Sequence, residues 1–262
     1  MNPKVPAPDP AARPFRTAVV TGASTGIGAA TVRQLARQGW EVFAVARRSE
    51  RLEALAAETG AVPVTADITD DDDVARLLAT VTAAGGIDTL VNIAGGARGA
   101  DSLAGADTAD WEWMLRVNVI GTMKITRAFL PMLRAHGRGT VLNLTSTAGL
   151  VSYEGGSGYN AAKFGQRGMT QALRLEEAEH NIRVVEVLPG LVRTEEFALN
   201  RLGDEQAARD VYAGVDEPLT AGDVADLIAY AVSAPHHVNL DEIVVRPVAQ
   251  AAAHKVIRKP LD

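Results

Sequence analysis

The chain has 262 residues, 47% hydrophobic and 22% charged, the balance of a globular protein with a real core to bury. A formal net charge of −6 argues against nucleic acid or an anionic membrane as partner, yet leaves room for a phosphorylated small molecule in a local basic pocket. There is no cysteine, which removes disulfides, thiolate nucleophiles and cysteine-bound zinc and accords with a cytoplasmic location.

Residues 1–15 carry prolines at 3, 6, 8, 10 and 14 and no apolar run. They predict a mobile, polyproline-like leader, neither signal peptide nor anchor. No segment approaches the ~18 continuous apolar residues that span a bilayer. From residue 16, β-branched runs alternate with helical periodicity. TAVVT (17–21), EVFAVA (41–46), VPVTA (62–66), TLVNI (89–93), TVLNL (140–144) and RVVEVL (183–188) read as strands buried on both faces. The ranges 26–38, 51–59, 71–84, 109–134, 159–180 and 221–233 read as helices, with a last strand at 242–245. TDDDD (69–73) caps the helix it precedes and opposes its dipole, rather than holding a metal. Alternation without a composition break predicts one α/β domain, a doubly wound parallel sheet over 16–248, with a substrate loop at about 190–219. Residues 249–262 read as a basic, weakly structured tail.

Between the first strand and first helix stands TGASTGIG (21–28). Gly22, Gly26 and Gly28 permit a tight turn and bring backbone N–H groups to a pyrophosphate at the helix N-terminus. A glycine-rich turn without ligand is the plain alternative. The second strand ends Ala46-Arg47-Arg48 with no carboxylate, which suits the 2′-phosphate of NADP(H) rather than the bare ribose of NAD(H). Arg51 reads as a solvated helix residue.

Tyr159 and Lys163, in GSGYNAAKFG, share one helix face. A free tyrosine has a pKa of about 10, and lowering it by about 3 units takes roughly 4 kcal/mol, within reach of a partly desolvated lysine acting with an oxidised nicotinamide. Such a tyrosine can exchange a proton with a carbonyl oxygen. A core tyrosine beside a surface lysine fits the same spacing. Ser146, just past the fifth strand, faces the ligand crevice as an oxygen-binding hydroxyl or is an ordinary turn serine. Asn118 lies mid-helix, either a kink or exposed amide, or a residue whose backbone carbonyl holds a water that relays protons through Lys163.

With these residues in place the chain resembles the short-chain dehydrogenase/reductase family over about residues 16–248. The resemblance implies a Rossmann domain with a seven-stranded parallel sheet, hydride transfer on a nicotinamide, and a homodimer or homotetramer. It implies catalytic roles for Asn118, Ser146, Tyr159 and Lys163. It further assigns Ser24, Thr25 and Ile27 to the phosphate loop and Asp67 and Ile68 to adenine contact. Asn92, Ala94 and Gly95 match the NNAG loop, in which Ile93 replaces the second Asn and puts one hydrogen bond in doubt. Pro189, Gly190, Val192 and Thr194 match the loop after the sixth strand. RRSERL, YEGGSGY and DVADLIAYAVSAP are similar to the NADP-dependent 3-hydroxy acid, serine-type branch. A carboxylate substrate needs a cation, which Arg193 or Arg201 can supply or, facing solvent, fail to supply. Reduction of neutral aldehydes or ketones, epimerisation or dehydration, and a non-catalytic NADP-binding sensor are the competing functions. No metal site is expected: His236–His237 lacks spaced partners and reads as loop or interface. Trp111 and Trp113 read as helix packing or a subunit contact.

Overall fold

A computed structural model describes residues 16–260, so the 1–15 leader lies outside the described residues. Seven parallel strands form one sheet. They are β1 (Thr17–Thr21), β2 (Glu41–Ala46), β3 (Val62–Thr65), β4 (Thr89–Asn92), β5 (Thr140–Leu144), β6 (Arg183–Pro189) and, after two short strands, β9 (Glu242–Val245). The short strands β7 (Val192–Arg193) and β8 (Leu219–Thr220) pair with each other. The sheet order is β3-β2-β1-β4-β5-β6-β9. Strand order therefore reverses beside β1, between it and β4, and the crevice at that switch point is where such sheets bind ligands.

The central strands β1, β4, β5 and β6 are buried at every position, because helices cover both faces. On one face α1 (Gly26–Arg37), α2 (Ser49–Thr59) and α9 (Ala221–Ser233) pack Val32, Leu35, Leu52 and Ile228 onto the sheet. On the other, α3 (Asp71–Ala83), α5 (Thr122–His136) and α6 (Ser157–Glu177) contribute Leu77, Ile125, Phe129 and Leu173. Each such side chain stabilises the fold by up to about 1.5–3 kcal/mol, according to how fully it is buried. The edge strand β3 departs from the expected double burial by exposing alternate residues, and the other edge strand, β9, shows the same alternation.

Three local expectations change. The helix read over 109–134 is α4 (Thr108–Leu115), a π-helical turn (Arg116–Gly121), then α5; a π turn leaves no trace in hydrophobic periodicity. The loop at 190–219 holds two short helices, α7 (Phe197–Leu202) and α8 (Glu205–Asp210), besides β7 and β8. The tail is not weakly structured: β10 (Gln250–Ala252) and β11 (Lys255–Val256) form an antiparallel hairpin. Arg258 then donates to the carbonyls of Val211 (3.0 Å) and Ala213, while Lys259 pairs with Asp216 at 2.7 Å. The aspartate run caps α3 as read, with the Asp70 side chain accepting from the Asp73 N–H at 2.9 Å.

Candidate active site

A cavity of about 810 Å³ opens at the C-terminal ends of the sheet strands, the size of a site for a cofactor-sized ligand. One end of it is the β1–α1 turn. Gly22 sits at φ +70°, and a Cβ on Gly28 would lie 2.1 Å from the Gly22 carbonyl oxygen, so helix and strand approach as only glycine allows. Thr25 caps α1 without a side-chain hydrogen bond, and the first turn holds no acidic residue. The free N–H groups there suit a phosphate. Gly22, Ser24, Thr25, Gly26, Ile27 and Gly28 line this end, with Arg47, Arg48, Asp67 and Ile68 beside them. Arg47 is largely exposed, 3.9 Å from Asp67. Arg48 donates to Ser24 Oγ at 3.0 Å and to both oxygens of Glu196 at 2.9 Å. Arg51 is no free solvated residue, because it also reaches Glu196, at 2.6 Å.

The middle of the cavity is lined by Ala94, Gly95, Pro189, Gly190, Val192 and Thr194. Asn92 lies beneath it instead. Its amide donates to Thr126 Oγ1 (3.0 Å) and Asn143 Oδ1 (2.9 Å), and Asn143 donates on to Thr170, so β4, β5, α5 and α6 are joined. At the substituted position the backbone keeps its bond, with the Ile93 N–H donating to Thr21 Oγ1 at 3.0 Å.

The structure brings the four candidate catalytic residues together from the turn after β5, the π turn and α6. Gly158 sets Tyr159 in place: a Cβ there would lie 2.6 Å from Met114 and 2.9 Å from Trp111, so α6 begins pressed against α4. Tyr159 is 8% and Lys163 4% exposed, which rules out a surface lysine. The ammonium lies 5.8 Å from the Tyr159 ring centre, donating to Gln166 Oε1 (2.7 Å) and the Leu144 carbonyl (3.3 Å). Burial pushes Lys163 down to about 7, opposed by the carboxylate of Glu186. Burial likewise pushes the Tyr159 phenol up, reinforced by Tyr153 and opposed by a hydrogen bond with Ser146 and the charge of Arg201. The chain by itself therefore holds Tyr159 as a phenol. The lowering expected of Lys163 together with an oxidised nicotinamide is not a property of these side chains alone, because burial outweighs the lowering by Ser146 and Arg201.

Ser146 caps the short helical turn Thr147–Gly149, accepting from the Ala148 N–H at 3.1 Å. The Asn160 amide donates to the Ala148 carbonyl at 2.8 Å, tying that turn to the helix of Tyr159. Asn118 is no exposed amide: it is fully buried, donating to the carbonyls of Gly96 (2.9 Å) and Met114 (2.8 Å) and accepting from the Gly96 N–H (3.1 Å).

Arg201 and Arg193 part company. Arg201 reaches the cavity, its guanidinium 5.9 Å from the Tyr159 ring centre. Three of its five N–H groups are engaged, by Gly99 O (3.2 Å), Tyr153 Oη (3.1 Å) and Gly155 O (3.0 Å). Arg193 is exposed and stacks on Tyr212, 5.1 Å from its ring centre, away from Tyr159. Alternation along β7 turns its side chain outward. The sequence reading missed Arg98, Tyr153, Phe197 and Gln250, which also line the cavity, and took Trp113 for helix packing or a subunit contact, although it lines the cavity too. Arg98 follows β4, and the strand-end rule would have flagged it; Gln250 carries no local signal. Among the described residues no three His, Cys, Asp or Glu side chains cluster as metal ligands, and no helix is long and apolar enough to cross a membrane.

The family profile for short chain dehydrogenases matches residues 16–204. An uncharacterized oxidoreductase of Mycobacterium tuberculosis is 48% identical over 94% of this chain and 96% of its own. The serine 3-dehydrogenase of Agrobacterium fabrum is 39% identical over 90% of this chain and 96% of its own. A solved structure, the closed form of serine dehydrogenase complexed with NADP+, superposes with a TM-score of 0.87 at 34% identity, covering 93% of this chain and all of the other.

Proposed function

This chain belongs to the short-chain dehydrogenase family, and on that premise we propose that it is an NADP(H)-dependent oxidoreductase interconverting a hydroxyl and a carbonyl on a small 3-hydroxy acid. The observation that carries the substrate class is Arg201, a cation with two unused N–H groups in the same cavity as Tyr159. A bidentate guanidinium–carboxylate contact there would fix the acid group and aim the adjacent carbon–oxygen bond at the phenol. The serine dehydrogenase relatives support the same class.

For the cofactor, the glycine turn fits a pyrophosphate, Arg47 and Arg48 a 2′-phosphate, and Asp67 and Ile68 an adenine. The nicotinamide, when bound, supplies or accepts the hydride. The protein's share is proton handling. Tyr159, kept as a phenol by burial, donates its proton to the oxygen of a carbonyl becoming an alcohol and takes one back in reverse. Ser146 donates to the same oxygen and steadies the charge that develops there. Lys163 returns the proton to Tyr159 from the side of Asn118, whose backbone carbonyl, in the π turn, would hold the relaying water.

We also read the exposed apolar side chains Leu115, Ile120, Phe164 and Leu175 on α4 to α6 as the face of a homodimer. A stable, active monomer in light scattering would refute that.

The deciding experiment offers NADP+ and NAD+ with L-serine, 3-hydroxyisobutyrate, 3-hydroxybutyrate and neutral secondary alcohols, following nicotinamide absorbance. Turnover of the hydroxy acids with NADP+ is expected. Turnover of neutral alcohols alone would discard the carboxylate clamp. Cofactor binding without any turnover would favour the sensor.

A further inference from the structure

At the outer end of the cavity an ion pair joins residues 148 positions apart. The carboxylate of Glu196 takes both terminal nitrogens of Arg48 at 2.9 Å, and Arg51 adds a third contact at 2.6 Å. The other edge of Arg48, its Nε and one terminal nitrogen, reaches Ser24 Oγ at 3.3 and 3.0 Å. Both faces through which a guanidinium makes paired hydrogen bonds are therefore in use. Hydrogen bonds from Arg48 lower the pKa of Glu196 from its ordinary carboxylate value, so it is charged at neutral pH. Glu196 immediately precedes Phe197, whose ring meets Tyr159 edge-on at 5.9 Å, and α7, which carries Arg201.

A 2′-phosphate brings nearly two negative charges and seeks the same paired edge of Arg48. A carboxylate and a phosphate cannot both occupy it, and side by side they repel. We propose that Glu196 sets the selectivity between NADP(H) and NAD(H): its carboxylate is an internal competitor for the 2′-phosphate, and binding exchanges one for the other, freeing the turn that carries Phe197 and Arg201 over Tyr159. A cofactor without the phosphate leaves the pair closed. The inference rests on the reading of Arg48 as the 2′-phosphate ligand.

Titration calorimetry with 2′,5′-ADP and with 5′-AMP isolates the phosphate without any turnover. Glu196→Gln keeps the side-chain shape and removes the charge. It is expected to tighten 2′,5′-ADP about tenfold and to move 5′-AMP less than twofold. Unchanged or weaker 2′,5′-ADP binding would overturn the proposal. Arg48→Ala separates the two readings: if it leaves the preference for 2′,5′-ADP over 5′-AMP intact, the phosphate assignment itself fails, whatever Glu196 does. In the unmodified protein, amide exchange over residues 195–203 should quicken with 2′,5′-ADP and not with 5′-AMP. Slower exchange with 2′,5′-ADP would sink the coupling to the turn.

Discussion

The two sides of the cavity are built by different physics. The cofactor side rests on β1, β2 and α1, where Val19, Val20, Val32 and Leu35 are fully buried and Gly22 and Gly28 leave no room for an added carbon. The opposite side, residues 190–219 with the 250–259 segment, is mostly exposed or half-buried and held by individual bonds. Tyr212 Oη donates to the Val192 carbonyl at 3.0 Å, the Leu191 N–H donates to Gln250 at 2.7 Å, and Arg258 clasps three carbonyls. Close packing transmits a single methyl as strain throughout, whereas a bond at the surface is worth about 1 kcal/mol and can be traded. The first side therefore keeps its form, and the second is the one that tolerates change.

Four substitutions test that contrast. Tyr159→Phe, at the seam between the sides, should cost about 10³-fold in kcat with cofactor affinity intact; steady-state kinetics showing a loss under tenfold would remove Tyr159 from the reaction. Arg201→Ala should raise KM for a hydroxy acid about 10- to 100-fold, the worth of two charge-assisted hydrogen bonds, and leave neutral alcohols nearly untouched. Equal effects on both substrate types would make Arg201 a strut for Tyr153 rather than a ligand.

Lys163→Met probes the buried floor through pH. Folded Lys163 titrates near 7 against an ordinary 10.5. Between those values the unfolded chain binds the extra proton, so stability rises with pH, by up to about 1.4 kcal/mol per unit, and is lost again as pH falls toward 7. Urea unfolding at pH 7 and 8 should show that slope, and the Met variant should lack it. The smallest effect is expected on the clasp: Arg258→Ala should change kcat/KM about two- to fivefold and the melting temperature by no more than about 3 °C. A much larger drop in melting temperature would place the hairpin in the core and erase the contrast.

The same contrast governs what the sequence discloses. Parallel strands buried on both faces are continuous apolar runs, so every strand of the main sheet stands where its residues suggest, β3, β4 and β6 differing by a residue at their ends. The glycine turn and the set Asn118, Ser146, Tyr159 and Lys163 are legible because backbone approach and the proton transfer proposed above each demand particular residue types. The clasp is not legible: Gln250 and Arg258 act on carbonyls and an N–H that any sequence offers. Arg193 and Arg201 look alike as letters, and only the alternation of β7 and the turn of α7 decide which one meets Tyr159. The π turn at Asn118 stays hidden because one extra residue in a helix barely disturbs its apolar stripe.

The bond from Leu191 to Gln250 has a consequence for recombination. A Cβ on Gly190 would fall 2.2 Å from the Gln250 side-chain oxygen. The two segments are therefore fitted to each other, though a helix and a sheet strand separate them along the chain. A chimera that takes its 190–219 loop from a relative must take that relative's hairpin as well, since the segments are heritable only as a pair.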